Sequence, residues 1–119
     1  MFKRNENQQP EIPADMEFFV IYDSKVQAYR EPILAVNKFD LLRQIDTLFR
    51  NPESQKNQLV MNAEDFSVFK IGDFTKKTGV IKTQDHEHIC NLHEIRSSIE
   101  AEKHKVQRDV SPKQALFPT

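Results

Sequence analysis

Glycine is nearly missing from this chain: Gly72 and Gly79 are the only two in 119 residues. Loops that cradle phosphates through repeated glycines, the Walker A and dinucleotide types among them, are thereby excluded. Cysteine occurs once, so no internal disulfide can form, a usage that suits a reducing cytoplasm. Tryptophan is absent, and neither sign of charge dominates, with 17 Lys+Arg against 18 Asp+Glu. Without a global cationic field, any contact with nucleic acid must come from a local patch. No apolar run approaches the roughly 18 residues of a membrane-spanning helix. The opening residues Met1 to Asn7 lack the apolar core of a secretory signal. The expectation is a protein that avoids membranes and works in a cytoplasm. The apolar fraction of 38% lies below the roughly 45–50% of ordinary globular chains, which implies one modest core with polar ends.

What is present divides the chain into three parts. Residues 1–15 are polar, carry Pro10 and Pro13, and read as a flexible arm. Residues 101–119 read as a flexible basic tail in which Lys103, Lys105, Arg108 and Lys113 outweigh Glu102 and Asp109. A single domain is expected between them, over 16–100. Its first run, Met16 to Tyr22, is aromatic and β-branched, the composition of a strand. After the turn residues Asp23-Ser24-Lys25, residues 28–36 read as a second strand, pushed to a sheet edge or bulged by Pro32, which has no N–H to donate. Asn37 is placed to cap a helix with Asp40 in its first turn. Leu41, Leu42, Ile45, Leu48 and Phe49 form one apolar stripe, and Asn51-Pro52 ends the helix. Residues 52–62 read as a polar loop with an apolar end. Phe66 to Ile71 and Val80 to Thr83 make a second hairpin about the turn-rich segment 72–79. Ile89, Leu92, Ile95 and Ile99 recur at three- and four-residue spacing and predict a helix over about 88–104. The order β-β-α-β-β-α implies an α+β fold, a small antiparallel sheet from two hairpins with one or two helices on one face.

Three constellations could carry chemistry. The densest is Asp85 to His93, which holds His86, His88, His93 and Cys90. On a helix, His86, Cys90 and His93 would share a face and offer imidazole and thiolate to a metal. Structural zinc usually needs a second ligand pair across a loop, so a polar helix start with exposed histidines is preferred and no metal is assigned. Cys90 beside a histidine also has the residue types of a thiol nucleophile and base, and Glu64, Asp65, Asp85 and Glu87 could move protons. Residues so close in sequence rarely form a catalytic pair, and adjacent charges at loop ends are usually solvated. No catalytic residue and no cofactor is assigned, and a non-enzyme is expected. The third signal is distributed: Tyr22 with Lys25, Tyr29 with Arg30, Phe69 with Lys70, and Phe74 with Lys76-Lys77. Aromatic rings beside cations suit single strands, because bases stack on the rings while Lys and Arg neutralise phosphates. Against this, Phe18, Phe66 and Phe69 are expected in the core, and alternation is what any half-buried sheet requires. Lys25, Arg30, Lys76 and Lys77 are assigned as phosphate contacts, and Tyr22 and Tyr29 as stacking groups.

The segment from Phe18 through Tyr22-Asp23-Ser24-Lys25 to Ala28-Tyr29 resembles the YDSK-type opening of a small nonstructural protein of gokushovirus-type microviruses, tailless phages with single-stranded DNA genomes. The likeness continues through Pro32-Ile33-Leu34, the helix over 38–50, the Asn51-Pro52 stop, and Ala63-Glu64-Asp65-Phe66 to Phe74. It covers roughly residues 17 to 82. The resemblance implies a nonstructural protein that binds DNA, single-stranded by the stacking argument, during genome replication in the host cytoplasm. Its family role would lie at the switch from duplex replication to single-strand production. An adaptor that recruits or restrains a viral or host replication protein without touching DNA is the alternative. Edge strands and near-neutral charge are also compatible with a homodimer.

Overall fold

The computed structural model describes residues 14–116, with side chains over 14–105. The arm assigned to 1–15 therefore lies outside the described residues apart from its last two. Strand β1 (Met16–Asp23) sits inside the sheet and pairs antiparallel on both sides. One neighbour is an edge broken into β2 (Ala28–Tyr29) and β3 (Ile33–Ala35), and Glu31-Pro32 makes the break where the ring has no N–H to give. The other neighbour is β4 (Phe66–Thr75), which in turn pairs with β5 (Val80–Asn91). The protein is thus an α+β domain with a five-stranded antiparallel sheet.

Helix α1 (Lys38–Arg50) follows its apolar stripe. Leu41, Ile45 and Phe49 are buried, and the Asn37 side chain accepts the Asp40 N–H at 2.9 Å. The Asp40 carboxylate accepts the Val36 N–H, which with Arg43 close by holds this carboxyl below its usual range. Residues 52–62 are more ordered than a polar loop. Asn51 caps a 3-10 turn at Pro52–Ser54, Asn57 caps the short α2 (Gln58–Met61), and Val60 enters the core. A second 3-10 turn, Ala63–Asp65, leads into β4.

The last third departs from its sequence pattern. The returning strand is twelve residues long instead of four, and α3 (Leu92–Leu116) begins at Leu92, not at 88. Residues 84–88 carry no apolar signal, and the strand is held on either side of the irregularity there by pairing with β4, Phe69↔His88 and Lys70↔Glu87 on one side and Gly72↔Thr83 on the other. The spacing that imitated a helix from Ile89 comes from an irregularity between Val68 and Phe69, which leaves Ile89 packed against the core beside Cys90. The Glu94 side chain accepts the Asn91 N–H at 2.7 Å, the return half of a capping box. From there the helix runs to Leu116, through residues that composition assigned to the tail. Ala101, Glu102, Lys103 and Lys105 are good helix formers and need no packing partner to continue a turn.

One face of the sheet carries the core. Phe19, Ile21, Phe66 and Val68 meet Leu41, Ile45 and Phe49 of α1, Val60 and Ala63, and Leu92 and Ile99 of α3. The expected core set is corrected here: Phe66 belongs to it, whereas Phe18 and Phe69 do not.

Candidate nucleic-acid interface

Strand pairing fixes what lies on the other face, where none of the described helices packs. Tyr29, Tyr22, Ser67 and Asn91 form one row across the sheet, and Val20, Phe69 and His88 the next. Leu34, Phe18, Gly72 and Thr83 form a third, and Met16, Phe74 and Ile81 a fourth. None of these residues is Lys, Arg, Asp or Glu, in a chain that is 29% charged. Ordinary antiparallel sheets solvate their free face with charge, so an uncharged one is informative.

The rings on this face touch. Tyr22 and Tyr29 lie with centroids 4.9 Å apart, and Tyr29 reaches across β1 to Phe69 at 6.3 Å and to His86 at 5.3 Å. His86 and His88 flank Phe69 at 6.1 and 5.4 Å. Val20 is only 5% exposed although no described helix covers it, which follows if these rings roof it over. Tyr29 is itself 50% exposed, and both histidines face solvent. At the far end Phe18 and Phe74 meet edge to face at 6.0 Å. Such a surface presents π-faces and edges with no fixed charge between them.

The six residues assigned from sequence do not form one patch. Tyr22 and Tyr29 are together, and Lys25 stands in the β1–β2 turn at the same end, its N–H held by Asp23. Lys76 and Lys77 occupy the β4–β5 turn at the opposite end, where Gly79 adopts φ 72° and the Lys76 N–H bonds Asp15. The eight residue steps from Ser67 to Thr75 along β4 separate the two ends by roughly 25 Å. Lys25, Lys76 and Lys77 make no ion pair among the described residues. Arg30 follows Tyr29 and turns the other way, its guanidinium 6.0 Å from the ring of core residue Phe66. Lys70 is likewise on the helix side, paired with Glu17 at 3.3 Å and Asp73 at 3.2 Å. Burial works to lower its pKa, but the hydrogen bonds that its ammonium donates to Asp73 and Glu17 outweigh that, and the net shift is upward. Lys70 therefore belongs to the structure and not to the aromatic face. His86 and His88 are the residues that sequence reasoning did not place here, and Phe69, weighed beside Lys70 but expected in the core, lies on this face with them. The available signal was alternation, since 86 and 88 share a strand face with Phe69 once β5 is recognised as a strand.

The same strand disperses the His/Cys cluster. His86, Cys90 and His93 do not share a helix face: His86 and His88 lie on the open side, Cys90 packs toward the core, and His93 is in the first turn of α3. Among the described residues no three potential ligands converge. Burial, with a smaller contribution from Glu94, pushes the Cys90 thiol up to about 11. The thiolate fraction at neutral pH is then about a hundredth of that of an ordinary cysteine or less, because each pKa unit is a factor of ten. Alkylation of Cys90 by iodoacetamide should be slower by about that factor in the folded protein than after denaturation in urea. Equal rates would mean that the thiol is neither shielded nor held protonated.

Together these features define a small α+β protein with a helix-covered core face and an open aromatic face edged by lysines. A family model described as Phage ORF5 protein matches residues 16–95, two thirds of the chain, and the chain belongs to that phage protein family. The matched region contains the whole sheet and extends past residue 82, where the recognised likeness ended, through β5 into the start of α3. Searches of curated proteins and of solved structures each give no match. No described helix is long and apolar enough to cross a membrane.

Proposed function

We propose that this phage protein is a non-enzymatic DNA-binding protein that holds single strands on the open sheet face. The observation that carries the reading is the cluster Tyr22, Tyr29, Phe69, His86 and His88 on an otherwise uncharged surface. Bases of any sequence stack on such rings, while duplex DNA offers its phosphates outward and its π-faces not at all. Lys25 at one end and Lys76-Lys77 at the other supply phosphate contacts to a strand that crosses the face. With the gokushovirus-type likeness of the YDSK-type segment, this fits a replication protein of a single-stranded DNA phage. It would act in the host cytoplasm, at the switch from duplex replication to single-strand production.

The test is a salt series on a labelled single strand of about 12 nucleotides, long enough to cover the face. Each phosphate neutralised contributes about −0.7 to the slope of log K against log salt. The double substitution Lys76→Ala/Lys77→Ala should therefore flatten the slope by about 1.4. A salt-independent affinity, or none, sinks the reading. The absence of Lys and Arg from the centre of the face also suits a protein partner, which is the second reading. It gains if a replication enzyme is recovered with this protein after nuclease treatment and purified DNA does not bind.

A further inference from the structure

The open face raises a question of charge. A single strand lying along it has phosphates over the middle as well as at the ends, and Lys25, Lys76 and Lys77 serve the ends only. In the middle the side chains of a type that can take up a proton are the imidazoles of His86 and His88. Both are exposed, and both lie against Phe69. His88 Nε2 lies 3.0 Å from Asn91 Oδ1, the oxygen that also accepts Ser67 Oγ–H; an Nε2–H donating to that oxygen leaves Nδ1 as the ring nitrogen open to a ligand's side.

The surroundings of the two rings favour charge arriving with a ligand. On the open side their neighbours are Tyr22, Tyr29, Phe69, Ser67 and Asn91, with no carboxylate among them. Of the carboxylates that flank His86 in sequence, Glu87 pairs in register with Lys70 on the helix side and accepts a hydrogen bond from Gln84, while Asp85 is exposed on the strand next to His86. Cys90 also faces the helices, and His93 belongs to α3. Tyr29 and Phe69 offer π-faces and edges to an imidazolium without neutralising it.

We propose that His86 and His88 are phosphate-directed residues at the centre of the face that take up protons as a single strand is bound. This inference rests on the DNA-binding reading above and adds to it which residues meet the backbone in mid-strand. The sign follows from linkage. A phosphate raises the histidine pKa in the complex above its value in the free protein. Affinity therefore gains as pH falls through the bound-state pKa, levels off below the free-state pKa, and owes nothing to these residues well above both. A rise of one unit is worth up to about tenfold per histidine, and each imidazolium steepens the salt slope by about 0.7.

The experiment measures binding of the full chain to labelled oligo-dT of about 12 nucleotides at constant ionic strength, between about pH 8 and pH 5.5. The natural sequence should gain roughly five- to fiftyfold in affinity on acidification, and His93→Gln should keep that gain. His86→Gln/His88→Gln should lose most of it, whatever its affinity at the alkaline end. Calorimetry near pH 7 in two buffers of different ionisation enthalpy should show uptake of up to about two protons, abolished in the double variant. Affinity that does not change with pH, or a gain that survives the double substitution, overturns the inference and leaves the DNA-binding reading standing. Absence of binding at every pH overturns both.

Discussion

Replacing Gly72 by alanine is expected to remove about 2–4 kcal/mol of stability, the upper part of what overpacking costs. Gly72 is buried in β4 between Phe18 and Thr83, next to the irregularity that leaves Ile71 unpaired. A Cβ built there would sit 2.5 Å from the Lys82 carbonyl oxygen and 3.3 Å from the Thr83 Cα. Both obstacles are backbone, so no side chain can swing aside. Strands β4 and β5 must separate by more than half an ångström or give up ladder hydrogen bonds at that row. Against this, alanine recovers about 0.5–1 kcal/mol of backbone entropy, too little to change the sign. Gly79 is the internal control. It sits at φ 72° with nothing within 4 Å of a built Cβ, so Gly79→Ala should cost only the left-handed backbone penalty, about 1–2 kcal/mol. Urea unfolding followed by circular dichroism separates the two. A Gly72→Ala loss no greater than that of Gly79→Ala would show that the strands are not in close contact at this row.

The close approach at Gly72 could not have been read from composition, which marks the residue only as part of a turn-rich segment. Other parts of the fold were legible because local and tertiary signals agree. In α1 the stripe at 41, 45 and 49 faces the core, the Asn37 cap is made, and Asn51-Pro52 stops the helix where the pre-proline rule requires. Strand β1 is aromatic and β-branched and lies inside the sheet. In β5 the signals conflict. His86 to His88 look like solvated helix start, and Ile89, Leu92, Ile95 and Ile99 keep helical spacing, although the first is in a strand and the other three in a helix. Only the pairing with β4 decides, and pairing is not a local property. The Asn91-x-x-Glu94 box was the one local mark of the true boundary.

The candidate site was legible in kind but not in arrangement. Aromatics beside cations suggested stacking and phosphate contact, and Tyr22 and Tyr29 do share a face. Adjacency in sequence, however, puts neighbours on opposite faces of a strand, so Tyr29 and Arg30, and likewise Phe69 and Lys70, point apart. The cations that flank the aromatic face come from turns, where strand alternation no longer applies. A reading that took period two strictly would have paired Phe69 with His88 across the ladder and left Lys70 to the core side.

That separation of rings from charges leads to the second large effect. Tyr29→Ala combined with Phe69→Leu should weaken single-strand binding about 10- to 100-fold, since stacking on an aromatic side chain is worth about 1–3 kcal/mol per base. Leucine at 69 keeps apolar volume beneath the face, and Tyr29 is half exposed on a two-residue edge strand, so the fold should survive the change. The slope of log K against log salt should stay as it is, because no charge is removed. Lys76→Ala/Lys77→Ala should do the reverse, flattening the slope while leaving most of the affinity at high salt. Stacking and neutralisation are separate contributions on this protein because they come from separate places, strand faces and turns. If the aromatic double variant instead bound as tightly as the natural sequence, DNA would not lie on this face. The rings would then be the cover of Val20 and the docking surface of a protein partner.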